Sequence, residues 1–551
     1  MRFDKIKTII NKIPFVKNLN DIRQEEFFIV GNVDILFDGL DKPLNFEFTI
    51  TKEYPLKSFD SESIKFSNPD FIEYNHVMQN GLICIHTSHS RSLESKLQID
   101  FNSLKNWIVK YYINKDIDSN YEHVVVNDSS IEGNTYSFIF SETNNSFNQS
   151  EFGSVEMAYL NQGRYREGSI FNFLVKEFKD CKTQESKQCN WSNQYSNLET
   201  NFEGVYYFYD NPPAVYNKFV FNTWNELQFS QDFLDFLFKL ETEIQYSEYK
   251  SFPLFIGYKI NETEIHWQVS ILEIGNFPLK GIPTKIDGKK TGKWKTDLVD
   301  EKINWALSRN ASYQYFFGRG KFSNELTDKK IMIIGIGAVG SIIAKTLIRC
   351  GCKFIDFIDH DIKEPENVCR SEYFFKNGIA NKTYELEKIL YEISPHANCK
   401  GLQSNYFENV IKSFYTEDEF KMNIENDLEY YDLIIDCSTD NDLMYVLNSL
   451  KLNIDLINIS LTNHSKELVC AFYPNTYSFV NNQFSNVLNN DVEDLYEPTG
   501  CWSPTFKASY NDINTMVQIA LKRLNKIFSG ELSKNNFVIQ EIEDQLKIIE
   551  Y

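Results

Sequence analysis

Three glycines, Gly335, Gly337 and Gly340, fall at G-x-G-x-x-G spacing in the run "IMIIGIGAVGSIIAKTL". That spacing allows a tight turn, a close approach of backbone to phosphate, and a helix N-terminus aimed at the anion. By itself it suits a nicotinamide dinucleotide as well as ATP. The next apolar run, "FIDFIDHD", ends in Asp359 and Asp361, at the edge where a ribose would lie. Beyond it, "EPENVCRSEYFF" puts Asn367 and Arg370 in one short loop, "GIANKTYELEKIL" opens a helix with Lys382, and "IIDCSTDND" carries Asp436 and Asp440 at the end of a later strand. Attack of a carboxylate on a phosphate sets two anions against each other, so such a site needs cations to neutralise charge and an aspartate to hold magnesium. A dehydrogenase would use the same glycine loop but would leave Asn367, Arg370, Lys382 and Asp440 unexplained as a set.

Thiols form the second group of candidates. The 10 cysteines include no C-x-x-C pair, which gives neither a disulfide scaffold nor a zinc ribbon. Cys350, Cys352 and Cys437 lie in or beside apolar segments and read as core residues. Cys84 and Cys501 follow closely on Gly81 and Gly500 in loop-like surroundings, where a thiolate can reach a substrate.

The elements that must position these residues follow from the periodicity. From about Asp300 onward, "KIMIIGIG", "KFIDFIDHD", "YDLIIDCST" and "IDLINIS" are short apolar strands separated by helical patterns, as a doubly wound parallel α/β sheet requires. "ELVCAFYP" reads as one more strand and "INTMVQIALKRL" as an amphipathic helix. The first 115 residues, with "FFIVGNVDILF", "LNFEFTITKEYP" and a helix at "FNSLKNWIVKYY", give an α+β pattern. Between them, residues 116–299 are rich in short aromatic and β-branched runs and predict a mixed middle domain. The expected domains are therefore 1–115, 116–299 and 300–551.

Composition bounds the partners. A chain of 551 residues with 42% hydrophobic and 15% aromatic content can build several cores. The formal net charge of -21 argues against nucleic acid or an anionic membrane as partner, because binding a polyanion relies on Lys and Arg. The start "MRFDKIKTIINKIPF" reads as a charged amphipathic helix, not a signal peptide, and a cytoplasmic protein is expected.

Taken in order, the glycine loop, ribose aspartate, N-x-x-R loop, helix lysine and aspartate pair resemble the ThiF/MoeB adenylating family, which includes the activating enzymes of ubiquitin-like proteins. Asp436 and Asp440 stand one residue further apart than that family's pair. The resemblance implies ATP and Mg2+ as cofactors, with Gly335, Gly337 and Gly340 around the phosphates and Asp359 on the ribose. It further implies Asn367, Arg370 and Lys382 along the triphosphate, Asp440 on magnesium, and Cys501 as the acyl acceptor. Arg319, in "FFGRGKFS", matches an arginine that reaches a partner's site in this family, which implies a homodimer. The N-terminal order "FEFTITKEYP" then "NHVMQNGLICIHTS" resembles the ubiquitin-conjugating fold, with Gly81, Ile83 and Cys84 at its cysteine segment. That family's His-Pro-Asn box is replaced by Asn75 and His76 without a proline, and His76, His86 and His89 are candidates to assist an amine. Both modules in one chain resemble the fused conjugating-activating enzymes of CBASS anti-phage operons. The implied reaction is adenylation of a protein's C-terminal carboxylate, thioester formation on Cys501, transfer to Cys84 and conjugation to a lysine amine. The implied substrate is a cGAS-like nucleotidyltransferase; a bacterial ubiquitin-like modifier, a sulfur-carrier activator and a non-catalytic binding module are the alternatives.

Overall fold

The computed structural model describes residues 2–551 except 58–60, 79, 86, 117–127, 210–220, 228, 247–250, 261–262, 276, 416–417, 463–464, 489–507 and 544. The chain divides into two compact units, Met1–Gln188 with Thr200–Asn310, and Cys189–Glu199 with Ala311–Tyr551.

In the first unit, the opening helix Arg2–Ile10 leads into an antiparallel meander of Val16–Gln24, Phe28–Ile35, Leu44–Thr51 and Ile64–Ser67. Strict alternation in Leu44–Thr51 turns Leu44, Phe46, Phe48 and Ile50 inward. They share a core with Ile6 and Ile10 and with Leu97, Phe101 and Leu104 of the helix Leu93–Trp107. The α+β pattern expected for this region is present. The rest of the unit is built on a mixed sheet ordered Ile265–Glu273, Ser251–Lys259, Phe202–Tyr209, Phe152–Tyr165, Gly168–Asp180, Asn134–Phe140, Leu307–Asn310. Its aromatic richness becomes packing: Phe178 stacks on Trp267 at 4.3 Å between ring centroids, with Tyr206 and Phe147 edge-on to Trp267.

The second unit contains the expected doubly wound sheet. Strands Asn398–Gln403, Phe354–Asp359, Lys330–Ile334, Leu433–Asp436 and Asp455–Leu461 lie side by side and parallel in that order. Glu467–Phe472, Phe537–Ile542 and Gln545–Glu550 extend the sheet antiparallel. Helices cover both faces, which explains why Leu433–Asp436 is buried at every position and reads as an unbroken apolar run. The strand order reverses between Lys330–Ile334 and Leu433–Asp436. Crossovers leave these neighbours in opposite directions and open a crevice at their carboxyl ends.

Caps fix the helix boundaries. The helix Tyr510–Phe528 begins about one turn before its apolar periodicity. The Ser509 hydroxyl accepts the Asp512 N–H, and the Asp512 carboxylate accepts the Ser509 N–H at 3.4 Å. Among the described residues, no helix is long and apolar enough to cross a membrane.

Candidate functional site

The crevice is lined first by the glycine loop. Gly335 has φ +77 and passes so close to the neighbouring strand end that a Cβ would stand 2.7 Å from Ser438 Cα. A Cβ on Gly340 would meet the carbonyl oxygen of Gly335 at 2.0 Å, so that glycine lets the helix Ala338–Arg349 close onto the loop. Gly337 differs from both: a Cβ there meets nothing within 4 Å. It is the N-cap of the helix and brings no capping side chain to the first-turn N–H groups, which suits them to an outside anion.

Asp359 is tied to this loop. Its Oδ2 accepts the Ile336 N–H at 2.9 Å and its Oδ1 accepts the Asp361 N–H at 2.8 Å. Each carboxylate oxygen retains a further lone pair for a hydroxyl. Asp361 in turn receives Lys382 Nζ at 3.0 Å, and the mostly buried Lys382 thereby joins the cluster. Asp359, His360 and Asp361 bring one ligand atom each within 4.8 Å of one another. The glycine loop, Asp359, Asp361 and Lys382 thus form one hydrogen-bonded constellation.

The other predicted residues take more local places. Asn367 Oδ1 accepts the Glu364 N–H at 2.9 Å and so caps the short helix Pro365–Val368. Arg370 is half-buried just beyond that helix, its N–H on the Asn367 carbonyl at 3.3 Å. Asp436 is fully buried, and burial raises its pKa against the opposing hydrogen bonds from Ser438 and Asn458. It accepts Ser438 N–H, Ser438 Oγ and Asn458 Nδ2 at 3.0, 2.7 and 2.9 Å. Asp440 is exposed and caps the helix Asn441–Ser449, with Oδ1 accepting the N–H groups of Asp442 and Leu443 at 2.9 and 3.0 Å. Arg319 is exposed in the turn after Tyr313–Phe316. Cys501 lies outside the described residues.

Sequence reasoning missed a polar shell behind these residues. Tyr373 is buried, and its hydroxyl donates to the Ile336 carbonyl of the glycine loop at 2.6 Å. Lys363 and Glu385 are buried together, Nζ to Oε2 at 2.5 Å. The visible signal was Glu385 one turn after Lys382, on the helix face that also buries Leu386 and Ile389.

In the first unit, Cys84 is half-buried, and its N–H donates to the His76 carbonyl at 2.7 Å. His76 has φ +62 and lays its ring 4.8 Å from that of Tyr111. Asn75 Nδ2 donates to the Asp116 carbonyl at 3.2 Å. His89 is exposed, and His86 lies outside the described residues.

Residues 307–486 match the ThiF family, and residues 118–308 match the Cap2 central linker domain. Over 290 residues the chain is 27% identical to the ATP-dependent ubiquitin transferase-like protein Cap2 of Enterobacter hormaechei subsp. hoffmannii (strain UCI 50), covering 51% of this chain and 46% of that protein. Over 155 residues it is 27% identical to the adenylyltransferase and sulfurtransferase MOCS3 of Drosophila persimilis, covering 28% of this chain and 31% of that one. The chain spans less than half the length of these curated relatives. A crystal structure of E. coli MccB with ATP shares 17% identity over 41% of this chain and 64% of that chain, at a TM-score of 0.30. The chain therefore joins a Cap2 central linker domain to a ThiF-family domain, in keeping with the fused activating-conjugating enzymes that its sequence resembles.

Proposed function

We propose that this protein uses ATP to activate the C-terminal carboxylate of another protein and conjugates it to an amine. The observation that carries this reading is the constellation of Gly337, Asp359, Asp361 and Lys382 at the switch point of a ThiF-family sheet. The open helix N-terminus at Gly337 suits phosphate, and Asp359 suits ribose hydroxyls. Lys382 exchanges Asp361 for phosphate oxygens, and Arg370 supplies a second cation. Asp440 would hold magnesium, which offsets phosphate charge. Of the two strand-end aspartates it is the exposed one, whereas the buried Asp436 carboxylate is tied to Ser438 and Asn458.

A carboxylate oxygen of the substrate attacks the α-phosphorus, the bond to the β-phosphate oxygen breaks, and pyrophosphate leaves. The Cys501 thiolate then attacks the acyl carbonyl and releases AMP. Exchange with the Cys84 thiolate moves the acyl group, and a lysine amine takes it, giving an amide and a thiol. The N-terminal 115 residues act as the conjugating module, residues 116–299 as the linker and 300–551 as the activating module. The likeness to an ATP-dependent ubiquitin transferase-like protein is in keeping with a protein substrate. The resemblance to fused conjugating-activating enzymes implies a cGAS-like nucleotidyltransferase as that substrate and a cytoplasmic setting in phage defence. Arg319 reaches across a homodimer to the second site.

Isotope exchange between pyrophosphate and ATP, driven by peptides ending in a free carboxylate, tests the first step. Asp440→Asn is the informative variant. Asparagine still caps a helix, whereas alanine would cost about 1 kcal/mol of helix stability as well. Exchange is expected to be lost in Asp440→Asn at unchanged thermal stability. Tight binding of a nicotinamide cofactor with no exchange from any peptide would overturn the reading.

A further inference from the structure

The segment that carries Asn367 and Arg370 leaves the sheet at Ile362 and returns at Asn381, where the pairs Ile362–Asn381 and Lys363–Ala380 close it as a two-residue antiparallel ladder. Apolar burial does little to hold its far side, since Phe374 and Phe375 are 50% and 76% exposed. Polar contacts hold it instead. Glu385 Oε1 accepts the Phe374 N–H at 2.7 Å, and Lys363 Nζ donates to the Phe374 carbonyl at 2.8 Å while also pairing with Glu385. Both polar groups of one residue are thereby fixed by one buried ion pair, which sets the direction of the chain there. On the near side, Glu372 pairs with Lys345, accepts the Tyr510 hydroxyl at 2.6 Å and donates its own N–H to Ser341 Oγ at 3.3 Å. Lys345 and Ser341 belong to the helix that starts at Gly337, and Tyr510 opens the helix Tyr510–Phe528. Burial, and after it the hydrogen bond to Glu372, pushes the Tyr510 pKa up to about 12.

We infer that Lys363, Glu385 and Glu372 are positioning residues, which clamp the loop bearing Asn367 and Arg370 against the glycine loop and so set the affinity for the nucleotide. The inference rests on the nucleotide reading proposed above. Stability alone does not account for the clamp. A buried ion pair is commonly replaced by well-packed apolar residues at no loss of stability, because its attraction has to repay the desolvation of two charges. What an apolar pair cannot do is direct a peptide group. Arg370 stands four residues before Phe374, and a displacement of its guanidinium by about 1 Å is enough to weaken a geometry-dependent charge contact severely.

The test uses the full chain and calorimetric titration with ATP and magnesium, alongside thermal unfolding and hydrogen exchange at the Phe374 amide. Lys363→Met combined with Glu385→Leu is expected to keep or raise the unfolding midpoint, to speed exchange at Phe374 and to raise the Kd for ATP about tenfold. Adding Arg370→Ala to that pair should weaken binding no further than Arg370→Ala does by itself, because the clamp acts through the loop that Arg370 occupies. Glu385→Gln keeps an acceptor for the Phe374 N–H and should retain most of the affinity, which holds the test open if the apolar pair does not fold. Wild-type protein that binds ATP, with the Lys363→Met, Glu385→Leu pair binding it equally well or with a loss that simply adds to that of Arg370→Ala, or with Glu385→Gln losing as much affinity as Glu385→Leu, overturns the clamp and leaves the nucleotide reading standing. Wild-type protein that binds no ATP overturns both.

Discussion

The three loop glycines carry the same residue type for different reasons, and their substitutions should separate. Gly340 and Gly335 are needed by the fold itself, one because a Cβ meets backbone at 2.0 Å and the other because of φ +77 and a Cβ contact at 2.7 Å. Gly337 has open space at its Cβ position, so no neighbouring atom requires it to be glycine. If phosphate approaches there, the added methyl meets the ligand instead. Gly337→Ala should therefore unfold at the wild-type temperature while its ATP affinity falls at least tenfold, and Gly340→Ala should lose about 2 kcal/mol or more of stability as well. Equal ATP binding by wild type and Gly337→Ala would remove phosphate from this loop. At this scale the sequence is a partial guide. Residue types and order placed the glycines, Asp359, Lys382 and Asp440 at one sheet edge, because a doubly wound fold brings its strand ends together. It did not show that Lys382 pairs with Asp361 or that Asn367 and Asp440 serve as helix caps. A side chain's chemistry states what it can bond, and only the folded neighbourhood decides which partner is within reach.

The apolar runs made the parallel strands legible, since burial on both faces demands uninterrupted Val, Ile, Leu and Phe. Long-range pairing was less visible: Leu307–Asn310 joins Asn134–Phe140, a partner far away in sequence, and no local signal specifies it. The amino-terminal edge of the second sheet is held by another such long-range contact. Asp455 opens its strand and binds Lys534 at 2.6 Å and Lys329 at 3.1 Å, drawing together three strands distant in sequence. Burial would raise its pKa, but the Lys534 and Lys329 ammoniums outweigh that and the net shift is downward. The unfolded chain, with a carboxyl pKa of about 3.9, then binds more protons than the folded one over the window between the two values. The contribution of this group is thus complete above about pH 4 and is lost as pH falls through the folded pKa. Asp455→Asn should cost about 1 kcal/mol at pH 7 and progressively less below pH 4, read from urea midpoints of variant and wild type. A difference that stays constant down to pH 2.5 would show that the two lysines contribute nothing to the ionised form.

At the scale of the whole molecule, the proposed reaction needs two thiols in two separate compact units, Cys84 in the first and Cys501 in sequence belonging to the second. On that proposal the adenylate forms at the sheet edge of the second unit, and a thiol of that unit is the one to be acylated first. Among the described cysteines of that unit, Cys369 is exposed, Cys350 is half-buried and the rest are buried. Burial raises the thiol pKa values of Cys352, Cys399, Cys437 and Cys470, which keeps them protonated and poorly nucleophilic at neutral pH. Transfer of an acyl group from one thiolate to another is nearly neutral in energy and depends on proximity, which tethering in a single chain supplies as a raised effective concentration. Cys501→Ala should accordingly still exchange pyrophosphate, yet carry no thiol-sensitive acyl adduct on either cysteine. Cys84→Ala should accumulate the adduct on Cys501 and form no conjugate, as read by mass spectrometry of the intact protein before and after reducing agent. Should Cys501→Ala load Cys84 at the wild-type rate, the relay fails at its first thiol, and Cys84 must then attack the adenylate directly.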